Sequence, residues 1–294
     1  MNDNVFMLKI AYINYLNSQP LYFGLEDKLA EICNEAGMVE ILTDRPVAIA
    51  QNLLSSLVGA GQLSAYEYLK AKDKFKLHQN FCISSSTGKI CSVLFLSKRP
   101  MNELNDHNVY LTDQSRTSVQ LLRVLLKHKY GLNNRLISMP ISLNDLLQGK
   151  LDNCLLIGDQ ALKAWQLRQE GHLPEYHASD LASEWFEWTG LPFVFAVFVS
   201  QLNVVFPPKL ETLLEEHLQH NRHSIGAIVR ANEGCGLSED LMHEYFQLLD
   251  YKLDKNKEIS LQKFYEMIQS LPSEEAVCES TVNREIHFYA RLEK

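Results

Sequence analysis

The chain of 294 residues is 46% hydrophobic and carries 36 acidic against 28 basic side chains, a formal net charge of −8. That length and apolar content supply one large buried core or two modest ones. The charge is spread without an Arg/Lys block, which argues against a nucleic-acid partner; an anionic small molecule stays possible, because recognition rests on local donors in a cleft.

The N-terminal MNDNVFMLKIAYI holds an early Asp and a short, Lys-interrupted apolar run, unlike a secretory signal. The longest apolar stretch, LPFVFAVFV at 191–199, is far below the ~20 residues of a membrane-spanning helix and reads as a buried strand. A cytoplasmic protein without a membrane partner is expected, of unknown oligomeric state. The cysteines (Cys33, Cys82, Cys91, Cys154, Cys235, Cys278) fall singly beside apolar segments with no C-x-x-C pair, which suits reduced core packing.

In chain order, LKIAYI (8–13) predicts a strand followed by a short helix from Pro20. VEILT (39–43) predicts a second strand, followed by a helix over Val47–Leu57. FCISSS and ICSVLFLSK, around Cys82 to Lys98, are two extended runs flanking a turn at Thr87-Gly88. NVYLTD (108–113), RLISM (135–139) and NCLLIG (153–158) then predict strands, alternating with helices over Thr117–Tyr130, Leu143–Gln148 and Gln160–Gln169. Such alternation argues for an α/β architecture with mostly parallel sheets. From Pro207 onward the spacing is helical, so a strandless tail is expected to bury its apolar faces on the N-terminal sheet. The implied division is 1–98 plus 200–294 as one lobe and 99–199 as the other, with a ligand cleft between them and with Val93–Lys98 and Val194–Ser200 as the crossovers.

Polar clusters follow several of these strands, where α/β proteins keep ligand-binding groups. Asn17 and Ser18 stand before Pro20 at a helix start, whose free N–H groups attract carboxylates; Asn and Ser are also the preferred caps, so capping alone would account for them. Ser115, Thr117 and Ser118 repeat the pattern after NVYLTD, with Arg116 beside them. Ser84, Ser86 and Ser92 surround a glycine turn. Gly158 and Asp159 end a buried strand, where Asp159 is either an N-cap or an acid facing the cleft. His217, His220 and His223 recur every three residues, a spacing that wanders around a helix with no familiar zinc pattern. No G-x-G-x-x-G, Walker A or G-x-S-x-G element is present.

With these motifs on the page, the chain resembles the chorismate dehydratases of the futalosine route to menaquinone. The resemblance rests on YLNSQPL (15–21), Ile83-Ser84 with Gly88 and Ser92-Val93, and the Ser-x-Thr-Ser of 115–118. It extends through IGDQAL (157–162) and the Asp180-Leu181, Glu184-Trp185 and Thr189–Phe193 block. It implies a two-lobed fold like the type II periplasmic solute-binding proteins with a helical C-terminal tail, acting as a hydro-lyase on chorismate with no cofactor and no metal. Asn17, Ser84, Ser86 and Asp159 are then the expected catalytic residues. Ser18, Ser64, Ser92, Ser115, Thr117, Ser118, Thr189 and Gly190 are expected to bind substrate. An Asp near Gly59 and an apolar residue at Gln62 are expected from the pattern and are missing here, and Phe198 replaces a common Trp. A non-catalytic carboxylate-binding protein shares the architecture. So does the sister enzyme that makes 1,4-dihydroxy-6-naphthoate, although its Ser-Pro-Cys-Pro-Asn-Asp element differs from YLNSQPL.

Overall fold

A computed structural model describes residues 7–29 and 39–271, together with the backbone of Cys278–Glu279. Twelve strands form two mixed sheets of six. The first is ordered β11 (Leu249–Asp250), β4 (Phe75–Ser85), β10 (Val194–Gln201), β3 (Ala60–Ser64), β1 (Leu8–Ile13) and β2 (Val39–Asp44). The second is ordered β12 (Cys278–Glu279), β7 (Arg135–Ser138), β6 (Asn108–Leu111), β8 (Asn153–Ile157), β5 (Val93–Ser97) and β9 (His177–Asp180).

Mostly parallel pairing was expected and holds for β1 with β2 and β3, and for β6 with β7 and β8. Apart from the antiparallel edge strand β11 on β4, the exceptions have one cause. β5 and β10 are the strands by which the chain enters a sheet from the opposite one, so each runs antiparallel to both neighbours. These are also the segments expected as bare crossovers, and the ladders make them inner strands instead. The chain passes between the sheets in residues 86–92 and again in 190–193. Thr87-Gly88 therefore belongs to a crossing between sheets and not to a hairpin.

Local chemistry accounts for the close pairing of β1 and β3. A Cβ at Gly61 would run into the Ala11 carbonyl, so only glycine lets the two backbones approach. Just beyond, Gln62 is buried and its Oε1 accepts the Ile13 N–H at 2.7 Å, standing in for the ladder partner that the diverging strand withdraws.

The C-terminal third is helical but not strandless. After the helices Pro208–His223, Ile225–Ala231 and Glu239–Leu248, β11 pairs antiparallel with the outer edge of β4, and Cys278–Glu279 pairs with β7 of the second sheet. The long helix Lys255–Gln269 packs on elements of both sheets' layers: on Ala65–Ala71 and β10, and on Arg116–Val124. Its Ser260 accepts the Trp185 indole N–H at 3.0 Å, and Phe264 meets Phe193 edge-on at 4.9 Å. Its Lys257 is buried with its ammonium between Asp250 (2.6 Å) and Asp254 (3.0 Å), which compensates a charge that would be costly alone. The tail thus braces both halves and not the N-terminal one alone.

Among the described residues no helix is long and apolar enough to cross a membrane. Cys82, Cys91 and Cys154 are buried thiols and Cys235 is half-buried; Cys33 and the side chain of Cys278 lie outside the described residues. His217 is buried against Asn221, while His220 and His223 are exposed, so the three histidines do not converge.

Candidate functional site

Where the two sheets face each other, a pocket is lined by Ile13, Tyr15, Asn17, Ser64, Ile83, Phe195 and Ala196 from the first sheet's side. Ile90, Ser92, Val93, Ser115, Ser118, Ile157 and Gly158 line it from the crossing and the second sheet. It is a small cleft, with about 60 Å³ of cavity volume and a mouth open to solvent. A neighbouring depression shares Pro46 and Ser64 and is flanked by Glu67 and Arg116.

Asn17 sits in a 3-10 turn, Leu16–Ser18, that leads into the single-turn helix Gln19–Tyr22. It does not act as an N-cap, since neither of these short helices has a side-chain cap. Its Oδ1 accepts from the Ser18 hydroxyl at 3.1 Å, and its backbone carbonyl accepts from Tyr251 at 2.9 Å. Ser18 itself is buried beneath Asn17 and supports it without lining the pocket.

Ser92 owes its position to the residue before it. Cys91 adopts a left-handed φ of 58°, uncommon without glycine. That conformation is held by the Asp180 carboxylate, which accepts the N–H groups of Ile90 (2.9 Å) and Cys91 (2.6 Å) with one oxygen and those of Ala182 and Ser183 with the other. Burial raises the Asp180 pKa, and the four N–H groups pull it back. The Ser92 hydroxyl accepts from Tyr245 at 3.0 Å, and its carbonyl accepts the Gly158 N–H at 2.7 Å.

The opposite wall is the start of two well-formed helices. Ser115 caps Arg116–Val124 by accepting the Ser118 N–H at 3.2 Å, and its hydroxyl also donates to the Ser118 hydroxyl at 3.0 Å. Gly158, at a φ of 59°, opens Gly158–Gln169 with no side-chain cap. Both starts belong to the second sheet's side. Sequence reasoning paired one helix start from each lobe, but the first-lobe element is too short to supply a helix dipole and contributes Asn17's side chain instead.

Asp159 is exposed by surface area but crowded by surrounding chain, which raises its pKa; a backbone bond from Leu16 and the charge of Lys163 oppose that rise. Tyr15, at the pocket wall, has its hydroxyl pushed up to about 12 by burial and by Asp159, while Arg45 pulls it down. Arg45, next in the chain to the pocket-lining Pro46, is a cation that sequence reasoning missed.

Several expected ligands lie elsewhere. Ser84 is fully buried and donates to the Asp250 carbonyl at 2.8 Å, and Ser86 is exposed and donates to the Leu248 carbonyl at 3.1 Å, so the β11 edge strand occupies both hydroxyls. Thr117 is buried with Oγ1 accepting the Tyr66 N–H at 3.0 Å, a tie between the halves. Beside it the Arg116 guanidinium meets Glu67 at 2.8 Å. Thr189 donates to the Trp185 carbonyl, and Gly190 is the exposed left-handed C-cap of Leu181–Thr189, needed there for its φ of 71°. Gly59 bonds Lys9 at the far end of β3 and does not line the pocket. Phe198 packs among Tyr12, His78, Phe81 and Phe206, away from it. Among the described residues no group of three His, Cys, Asp or Glu could hold a metal ion.

What remains is a pocket of hydroxyls and one carboxamide beside two helix starts, suited to carboxylates. Comparisons with known proteins fit that chemistry. A family profile described as menaquinone biosynthesis matches residues 8–270. The chorismate dehydratase of Thermus thermophilus is 32% identical over 237 residues, 76% of this chain and 84% of that protein. Among solved structures, protein AF1704 of Archaeoglobus fulgidus matches with a TM-score of 0.67 at 13% identity, covering 90% of this chain and 97% of that one. The periplasmic aliphatic sulphonate binding protein of Escherichia coli matches with a TM-score of 0.61 at 12% identity, covering 90% and 86%. The fold is that of the periplasmic binding proteins.

Proposed function

The chain belongs to the menaquinone biosynthesis family, and from that premise we propose that it is a chorismate dehydratase, a cytoplasmic hydro-lyase converting chorismate to 3-[(1-carboxyvinyl)oxy]benzoate and water. The observation that carries the reading is the meeting of Asn17 and Ser92 with Ser115, Ser118 and the helix start at Gly158 in one small pocket.

In the reaction, the C–H bond at the ring carbon bearing the enolpyruvyl ether breaks and its electron pair becomes a ring double bond. The neighbouring hydroxyl departs with a proton as water. The ring becomes aromatic, so the chemistry needs no electron acceptor. The protein's task is to hold a dianion in the reactive geometry, and fixed donors do that with little reorganisation. Ser115, Ser118 and the two helix starts take one carboxylate, with Arg45 drawing the dianion to the mouth. Asn17 and Ser92 position the second carboxylate, which abstracts the proton within the same molecule. Asp159, with its raised pKa, is the alternative base.

Purified protein given chorismate and a chelator should form an aromatic enolpyruvyl ether, read by mass as the loss of one water. Chorismate bound and returned unchanged would favour a carboxylate-binding protein, to which the fold is equally suited. Turnover only of cyclic dehypoxanthine futalosine would favour the sister enzyme.

A further inference from the structure

We propose that Tyr245 is a positioning residue for this reaction: its hydroxyl, donated to Ser92, fixes the direction of the Ser92 hydroxyl so that Ser92 presents its proton to the substrate. The inference rests on the chorismate dehydratase reading and adds a residue from the C-terminal third, which the sequence motifs did not reach.

Tyr245 lies on the helix Glu239–Leu248, 1% exposed, with its ring against Phe246 and its hydroxyl 3.0 Å from Ser92 Oγ. Burial pushes its pKa far up, so the phenol keeps its proton at any working pH. That retained proton is the one it donates to Ser92. Ser92 then accepts on one side, and its own hydrogen turns to the pocket that Ser92 lines. A serine free to rotate would divide its time between donor directions; one that accepts a buried phenol does not. The backbone is fixed as well: Asp180 holds Ile90 and Cys91, and Gly158 donates to the Ser92 carbonyl. Position comes from those bonds and orientation from Tyr245. Tyr245 touches no pocket space itself, so its influence on substrate passes through Ser92.

The test uses the full chain with four proteins: wild type, Y245F, S92A and the double variant. Wild-type turnover of chorismate is measured first, and its absence overturns the functional reading and this proposal with it. With wild type active, Y245F should lower kcat by about 10-fold to 100-fold while KM changes less than about 3-fold, because an oriented donor acts mostly on the transition state. The double variant should be no slower than S92A within about 2-fold, since without Ser92 there is nothing to orient. Full kcat in Y245F, or losses that multiply in the double variant, would overturn the positioning role. Should Y245F unfold, Tyr245→Met supplies the same comparison.

Discussion

The Tyr251 hydroxyl donates to the backbone carbonyl of Asn17 over 2.9 Å, joining residues 234 positions apart. The turn that carries the expected catalytic carboxamide is therefore held by the C-terminal third. Tyr251 grips the main chain of Asn17, which leaves the carboxamide for Ser18 and the pocket.

Asn17→Ala keeps the carbonyl that Tyr251 holds and deletes only the carboxamide. Turnover should fall by about 100-fold or more if that group orients the reacting carboxylate. Stability should change by about 1 kcal/mol, the net worth of a hydrogen bond. Steady-state rates beside urea unfolding separate the two, and a wild-type rate in a folded variant excludes a catalytic role.

The three serines of the first crossing should separate by location. Ser92→Ala should slow turnover with an unchanged unfolding midpoint. Ser84→Ala should keep the rate and cost about 1 kcal/mol, since it leaves the buried Asp250 carbonyl without that donor. Ser86→Ala, exposed, should change neither. A rate loss confined to Ser84→Ala would mean that the edge strand is displaced in the working enzyme.

Thr117→Val should act on folding before it acts on binding. It removes the hydrogen bond that Thr117 accepts from the Tyr66 N–H, which costs about 1 kcal/mol and loosens the tie between the halves. Ser118→Ala removes a hydroxyl at the pocket wall and should raise KM more than it lowers kcat. The reverse pattern, with Thr117→Val raising KM at full stability, would return Thr117 to the substrate.

His217 should give the fold an acid sensitivity. Burial lowers its pKa from 6.5 to about 4, chiefly by desolvation, and its Nε2 faces the Asn221 amide at 3.0 Å. The folded state then binds fewer protons than the unfolded one between those values. Stability from the neutral ring is fully present above about pH 6.5 and is lost as pH falls toward 4, by roughly 3 kcal/mol at most. Urea unfolding at several pH values should show this slope in wild type and a flatter one in His217→Gln; equal slopes would rule the ring out as the source.

Much of the framework was legible because apolar runs of strand length alternate with amphipathic segments in residues 8–169. The crossings were misplaced for a physical reason: β5 and β10 are buried on both faces, so their unbroken apolar runs mark a strand without saying which sheet it joins. Asn17, Ser64, Ser92, Ser115 and Ser118 were within reach of motif reading and do meet in the pocket. Ser84 and Ser86 were not separable from Ser92, because their fate depends on a two-residue edge strand over 160 positions later. Tyr245 and Tyr251 were hidden by their setting. HEYFQLLDY reads as an apolar helix face, and only a buried polar atom found in three dimensions shows that a phenol there has a second task.

That same edge strand carries a consequence for handling the protein. The segment 249–253 satisfies the outer rim of β4: Leu249 and Asp250 pair with Ser85 and Ser84, the Tyr251 carbonyl takes the Cys82 N–H, and Leu253 donates to Gln79. A chain shortened to end after β10 would bare the main-chain groups along FCISS, an apolar stretch with β-forming residues and no charge. Bared edges of this kind template pairing between molecules. Such a truncation should therefore precipitate as intermolecular sheet, so the tail also protects the protein against aggregation.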